Sequence, residues 1–268
     1  MAVALQPSAM IRGIVEAASA MVSRSRQHDV TANNLANAGT AGFKRQSIFL
    51  RQLNRAQGTD ASPAPTSLPN ATAAAAQSRL RDTPWLRPLH EEIFTDYSQG
   101  TLETSENPLN VAIEGPGFFV IETPDGERYT RNGAFSRNEE GGLITANGYA
   151  VVGDGGPITL PPGEFVVGDH GELLVDGEQV DALRVVDFAD PATLRPIGRG
   201  LFFATQPAET IETSQVRQGY LERANFELVS EMVSMMTSFR YFETAQKAVQ
   251  IQDETLSRTV NQVGKIQR

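Results

Sequence analysis

Three histidines, His28, His90 and His170, are the residues of this 268-residue chain best suited to metal ligation or proton transfer, and their spacing supports neither. They fall in three separate segments. None stands four residues from another, and none lies in a His-Glu-x-x-His run, the arrangement that puts two imidazoles on one helix face. The acidic pairs Glu91-Glu92 and Glu139-Glu140 lack the D-x-D-x-D-G spacing of a calcium loop. Two glycine-rich stretches, "EGPGFF" (114–119) and "GDGGP" (153–157), are followed by no Lys-Ser/Thr and open no helix. A phosphate cradle needs both, so β turns and close backbone approach are the plainer reading. No serine sits in a G-x-S-x-G elbow. With no cysteine, thiol catalysis, disulfides and thiolate metal sites are all excluded. The expectation is a non-enzyme with no catalytic residue, no metal and no cofactor. An enzyme of unrecognised type would need a buried carboxylate or histidine with a displaced pKa.

The elements around these residues tell more. At 40% hydrophobic and 21% charged residues the composition is that of an ordinary folded protein, long enough for one or two domains. The net charge of −9 is unevenly spread. Residues 1–55 carry +5, while residues 85–214 hold seven basic against 22 acidic side chains. The basic arm has no interleaved aromatics, so no nucleic-acid partner is expected. No run reaches the roughly 18–20 apolar residues of a membrane helix, so no membrane insertion is expected. Arg12 and Glu16 interrupt what would be the apolar region of a secretory signal.

From Ile11 the pattern is helical. Ile11, Ile14, Ala18, Met21, Ser25, His28, Ala32 and Leu35 recur at alternating spacings of three and four, a weak heptad seam that Gly39 and Gly42 end. Residues 56–79, "AQGTDASPAPTSLPNATAAAAQSR", have too few large apolar residues to fold alone. The centre reads as β. Short apolar runs such as "GFFVIET" alternate with Asp125-Gly126, Asn132-Gly133, Asn147-Gly148, Asp154-Gly155 and Asp176-Gly177, each the preferred chemistry of a tight hairpin. The last segment is the strongest helical signal. Counted from Leu228, nine of twelve a/d positions are apolar, among them Met232, Met235, Phe239, Phe242, Val249 and Leu256. A helix of about 40 residues is about 60 Å long, and no second helix of that length exists in the chain to cover it. This end therefore reads as an assembly surface.

One further stretch, "NNLANAGTAGFKR", resembles the signature of the bacterial flagellar rod and hook axial proteins. Asn33, Asn34, Leu35, Asn37, Thr40, Gly42, Phe43 and Lys44 match it position by position. Residues 100–158 are similar to the family's central segment and residues 219–256 to its C-terminal helix, in the family's order. Within the family the look is nearest the proximal rod branch, next the distal one. The resemblance implies a basal-body rod subunit, exported through the type III flagellar channel without a cleaved signal. It would polymerise helically in the periplasm with itself and other axial proteins, to transmit motor torque. It also implies an α+β fold in which N- and C-terminal helices pair as a coiled-coil rod domain flanking a central, mainly antiparallel β domain. Residues 1–9 precede the family's usual start, which makes Met10 a candidate start, and Phe226 and Met236 stand where the family often has aliphatic residues.

The expected layout is a rod helix and turn (1–55), a flexible linker (56–84), the β domain (85–214) and the long helix (215–268). Asn33, Asn34, Leu35, Asn37, Gly42, Phe43, Met232, Met235, Phe239, Phe242, Val249 and Leu256 are the expected packing residues. The rival account is a secreted β-rich binding module that its helical tail merely oligomerises.

Overall fold

A computed structural model describes residues 7–51, 90–210 and 214–266, so the expected linker lies outside the described residues. The fold is α+β: a helix at each end and antiparallel strands between. The chain divides into two compact units. One takes the N-terminal helix up to Val30 and the C-terminal helix from Ser234, with Ile48–Ile93. The other takes Thr31–Ser47 and Phe94–Val233.

The N-terminal helix α1 spans Pro7–Ala36. Strands β1 (Gln46–Arg51) and β2 (His90–Thr95) pair as a two-stranded ribbon. Then come β3 (Leu102–Thr104), β4 (Val111–Glu114), β5 (Phe118–Thr123), β6 (Gly126–Thr130), β7 (Phe135–Arg137), β8 (Leu143–Thr145), β9 (Ala150–Gly153) and β10 (Gly156–Pro157). They are followed by β11 (Phe165–Val167), β12 (Glu172–Val175), β13 (Glu178–Ala182), β14 (Val185–Asp187), β15 (Leu194–Gly198), β16 (Leu201–Ala204), β17 (Glu209–Thr210), β18 (Gln215–Gln218) and β19 (Tyr220–Glu222). The C-terminal helix α2 spans Leu228–Ile266.

The main sheet runs in the order β15-β16-β6-β5-β9-β8-β7, with β10 beside β9 and β14 linking β5 to β17. Every recorded strand register is antiparallel, and β11-β12-β13 form a smaller sheet. The run "FFVI" in β5 does not alternate with polar residues because both of its faces are covered. Phe119 and Ile121 enter one core with Val111, Ile113, Phe135 and Leu143. Phe118 and Val120 enter a second with Val186, Phe188 and Phe202. Edge-to-face rings tie each core, Phe119 on Phe135 at 5.2 Å and Phe118 on Phe202 at 5.6 Å.

The five Asp-Gly and Asn-Gly pairs do not share one role. Asp176-Gly177 makes the expected turn between β12 and β13, with both residues at positive φ (51° and 85°). Asp125-Gly126, Asn147-Gly148 and Asp154-Gly155 also lie in hairpins, but there the positive φ falls on Gly126, Gly148 and Gly156. Asn132-Gly133 joins no hairpin. A turn missed in the sequence is Arg199-Gly200, between β15 and β16, where both residues are left-handed (55° and 73°).

In both helices the covered stripe keeps one expected heptad position and shifts the other by one residue. Along α1, Ala17, Met21, Arg24, His28, Thr31 and Leu35 are at least partly buried, while Ala18 and Ser25 are exposed. Along α2, Glu231, Met235, Ser238, Phe242, Ala245, Val249, Gln252 and Leu256 are covered. Small Ser238 and Ala245 occupy the inward position, which leaves bulky Met232 and Phe239 outside it. In the first unit the two helices meet where Arg24 lies 4.7 Å from the Tyr241 ring centre and the His28 and Phe239 rings stand 6.4 Å apart.

Candidate assembly site

The asparagine-rich end of α1 makes specific bonds that a plain helix terminus does not need. Asn37 donates its side-chain amide to the Asn33 carbonyl at 2.8 Å, and the same carbonyl accepts the Asn37 backbone N–H at 3.2 Å, so the residue closes the last turn twice. Asn34 is buried and pairs with Gln46 as a strand residue would. Its amide donates to the Gln46 carbonyl at 2.8 Å, and its oxygen accepts from the Gln46 N–H at 2.9 Å. The last turn of α1 is thereby clamped to the first residue of β1. Asn33 is exposed and Leu35 half-buried.

Gly42 carries the chain over the β domain. Its φ is +67°, and a Cβ there would lie 2.4 Å from the carbonyl carbon and oxygen of Arg131. No other residue fits both conditions. Its N–H donates to the Glu222 carbonyl at 2.7 Å. Phe43 is buried and meets Phe226 edge to face at 6.2 Å.

Next in sequence, Lys44 enters a buried charge cluster. Its ammonium lies 2.6 Å from Glu222 Oε1, with both side chains 1% exposed, and also donates to the Ser98 carbonyl at 2.8 Å. Arg131, 4% exposed, stands with Nε 2.9 Å from Glu222 Oε2 and donates to the carbonyls of Gly115 and Gly117. That Nε contact is an ion pair rather than an aligned hydrogen bond, since Oε2 accepts no well-directed proton. The N–H of Gly100 donates to Glu222 Oε1 at 2.9 Å. Glu222 is held in place by the β3–β19 ladder, where it faces Leu102. Around the cluster, Arg45 pairs with buried Glu231 in the first turn of α2. The Arg45 N–H donates to Asn225 Oδ1 at 2.7 Å, and the Asn225 amide donates to the carbonyls of Asp96 and Ser98.

Two cations share one carboxylate, so the cluster carries a net positive charge in a dry place. Burial pulls the Lys44 ammonium and the Arg131 guanidinium below their ordinary values, and Glu222 opposes both shifts. The sign for stability follows for Lys44. Below the lowered folded value it is charged in both folded and unfolded chains and bears its desolvation cost. As pH climbs from the lowered folded value towards the ordinary 10.5, the unfolded chain holds a proton that the folded chain has released. The contribution of Lys44 to stability therefore rises with pH across that window. Lys44→Met is expected to remove this rise. The check is the difference between parent and variant in urea stability from pH 7 to 10.5; a difference constant with pH would contradict it.

Glu222, Arg131, Asn225 and Glu231 were not singled out in the sequence. Each stands in a stretch with no local mark, and Glu222 is 178 residues from Lys44. Of the expected residues, Asn34, Gly42 and Phe43 join this cluster's surroundings. Met232, Met235, Phe239, Phe242, Val249 and Leu256 lie along α2, with Met232 43% and Phe239 50% exposed. Among the described residues no group of three His, Asp or Glu side chains is placed to hold a metal, and no helix is long and apolar enough to cross a membrane.

A β domain bonded to the glycine-turned end of one helix and running on in sequence into a long second helix is the arrangement to compare with known families. Three family models match the chain: the flagella basal body rod protein family at residues 16–44, the flagellar hook protein FlgE/F/G D1 domain at 112–175, and the flagellar basal body rod FlgEFG protein C-terminal family at 217–263. Among curated relatives, the flagellar basal-body rod protein FlgG of Buchnera aphidicola is 32% identical over 86% of this chain and 91% of its own length. FlgG of Agrobacterium fabrum is 31% identical over 92% and 97%. FlgF of Caulobacter vibrioides is 30% identical over 92% and 96%. The chain belongs to the flagellar basal-body rod family, of the FlgF/FlgG type, whose members are structural proteins.

Proposed function

We propose that the chain is a rod subunit that polymerises helically through its terminal helices, with itself and with other rod and hook proteins of the basal body. The supporting observation is the bare apolar face at the start of α2. Leu228, Val229, Met232, Val233, Met236 and Phe239 are all exposed. A face of this size in a single chain marks a partner surface. In this reading α1 and α2 join neighbouring copies in a coiled-coil inner layer and the acidic β domain lies outside it. Residues 1–55, 56–84, 85–214 and 215–268 then act as helix and turn, linker, β domain and long helix. Leu35, Met232, Met235, Phe239, Phe242, Val249 and Leu256 supply the packing, and Asn33 faces a neighbour. The subunit leaves the cell through the type III flagellar channel, keeps its N-terminal segment, sits in the periplasmic rod and transmits torque. A proximal position is favoured over a distal one.

Backbone hydrogen exchange on dilute purified protein tests this. Residues 10–30 and 234–260 are expected to exchange at near-random-coil rates while Phe94–Val233 stays protected, because the helices gain their cover only on assembly. Protection of both ends in a monomer would favour the self-contained binding module.

A further inference from the structure

The Lys44–Glu222–Arg131 cluster gathers three stretches from across the second unit: the turn at 42–46, the residue after β6, and β19 near the C-terminal helix. Glu222 is the carboxylate in contact with both cations, while Asp96 and Asp187 act on Lys44 and Arg131 only through space. We infer that this cluster is a latch: closure of residues 40–47 onto the β domain is conditional on the C-terminal segment that carries Glu222. Without that carboxylate, closure would place a lysine and an arginine side by side in a dry site with backbone carbonyls alone, the unpaired-charge case that proteins tolerate least. Gly42 makes the closure all-or-none, since its contact with the Arg131 backbone has no slack for a partial fit. The same closure fixes both helix ends. Asn34 is bonded to Gln46 at the end of α1, and Glu231 is paired with Arg45 at the start of α2. A chain whose latch is open keeps its β core but loses the bonds that hold the last turn of α1 and the first turn of α2. The device goes beyond the rod reading and stands without it.

The test is native-state hydrogen exchange on the full chain, comparing the parent with Glu222→Gln. The bonded amides of Gly42, Arg45 and Gln46 are expected to exchange at least about a hundredfold faster in the variant. Amides in β5 and β9 are expected to stay within about threefold of the parent, since the two cores do not include the cluster. Adding Lys44→Met to Glu222→Gln removes the second cation and is expected to recover at least about tenfold of the lost protection. Unchanged exchange at 42–46, equal acceleration in segment and core, or no recovery in the double variant would each overturn the latch. If Glu222→Gln leaves no folded core, Lys44→Met alone decides. It leaves the neutral Glu222–Arg131 pair and is expected to keep 42–46 protected; loss of protection there overturns the proposal.

Discussion

Replacing Gly133 with alanine is expected to unfold the β domain. The φ of Gly133 is not left-handed, so the backbone alone would accept a side chain there. The obstacle is space: a Cβ would lie 1.6 Å from the Val111 carbonyl oxygen, 2.8 Å from its carbon and 3.2 Å from the Phe119 ring. None of the three can retreat cheaply. Val111 opens β4, which is paired with β18, and its N–H donates to the Gly133 carbonyl at 3.0 Å. Phe119 is completely buried in the larger core. Making room means parting β4 from the loop and losing core packing with it, a cost above about 4 kcal/mol and in the range that unfolds a marginal domain. Gly148→Ala is the control. It has φ +80° but nothing within 4 Å of its Cβ, so it should cost only about 1–2 kcal/mol from the dihedral. Urea unfolding of both variants gives the comparison. Equal midpoints would mean that the β4 contact yields far more easily than its geometry implies.

The second large effect concerns assembly rather than stability. Phe239→Asp is expected to abolish incorporation into the rod while leaving the β domain folded. Phe239 is half exposed, with its ring 6.4 Å from that of His28 in the first unit, so the single chain loses little when it is removed. In a polymer the same position would be desolvated. There the change forfeits about 2 kcal/mol of ring burial and adds the cost of desolvating a carboxylate. A loss of even 3 kcal/mol at each contact weakens association more than a hundredfold, and a helical stack repeats the contact in every subunit. Soft-agar motility of a null strain complemented with the variant is the measurement, with circular dichroism confirming an intact β domain. Normal swimming would remove Phe239, and the exposed face with it, from the assembly reading.

The architecture at coarse grain was legible because it rests on local chemistry. Heptad spacing and Asp-Gly or Asn-Gly punctuation each depend on residues a few positions apart, and they marked a helix at each end and antiparallel strands between. The seam register was less legible. A repeat read from apolar residues picks Phe239 over Ser238 as the inward residue, yet a small side chain can fill the inward position where elements pack closely, and tertiary packing chooses between the two. Gly133 shows the same limit in another form: Asn-Gly is turn chemistry, yet here the glycine is required by a carbonyl that arrives from β4. The run of asparagines drew attention in the sequence, but its explanation needed Gln46, whose backbone Asn34 holds from both sides. Membership of the rod family and the helical ends were determined by the sequence itself. The joining of Lys44 to Glu222 and Arg131 was decided by the tertiary structure alone, since buried charges choose partners by proximity in the fold and leave no periodic trace along the chain.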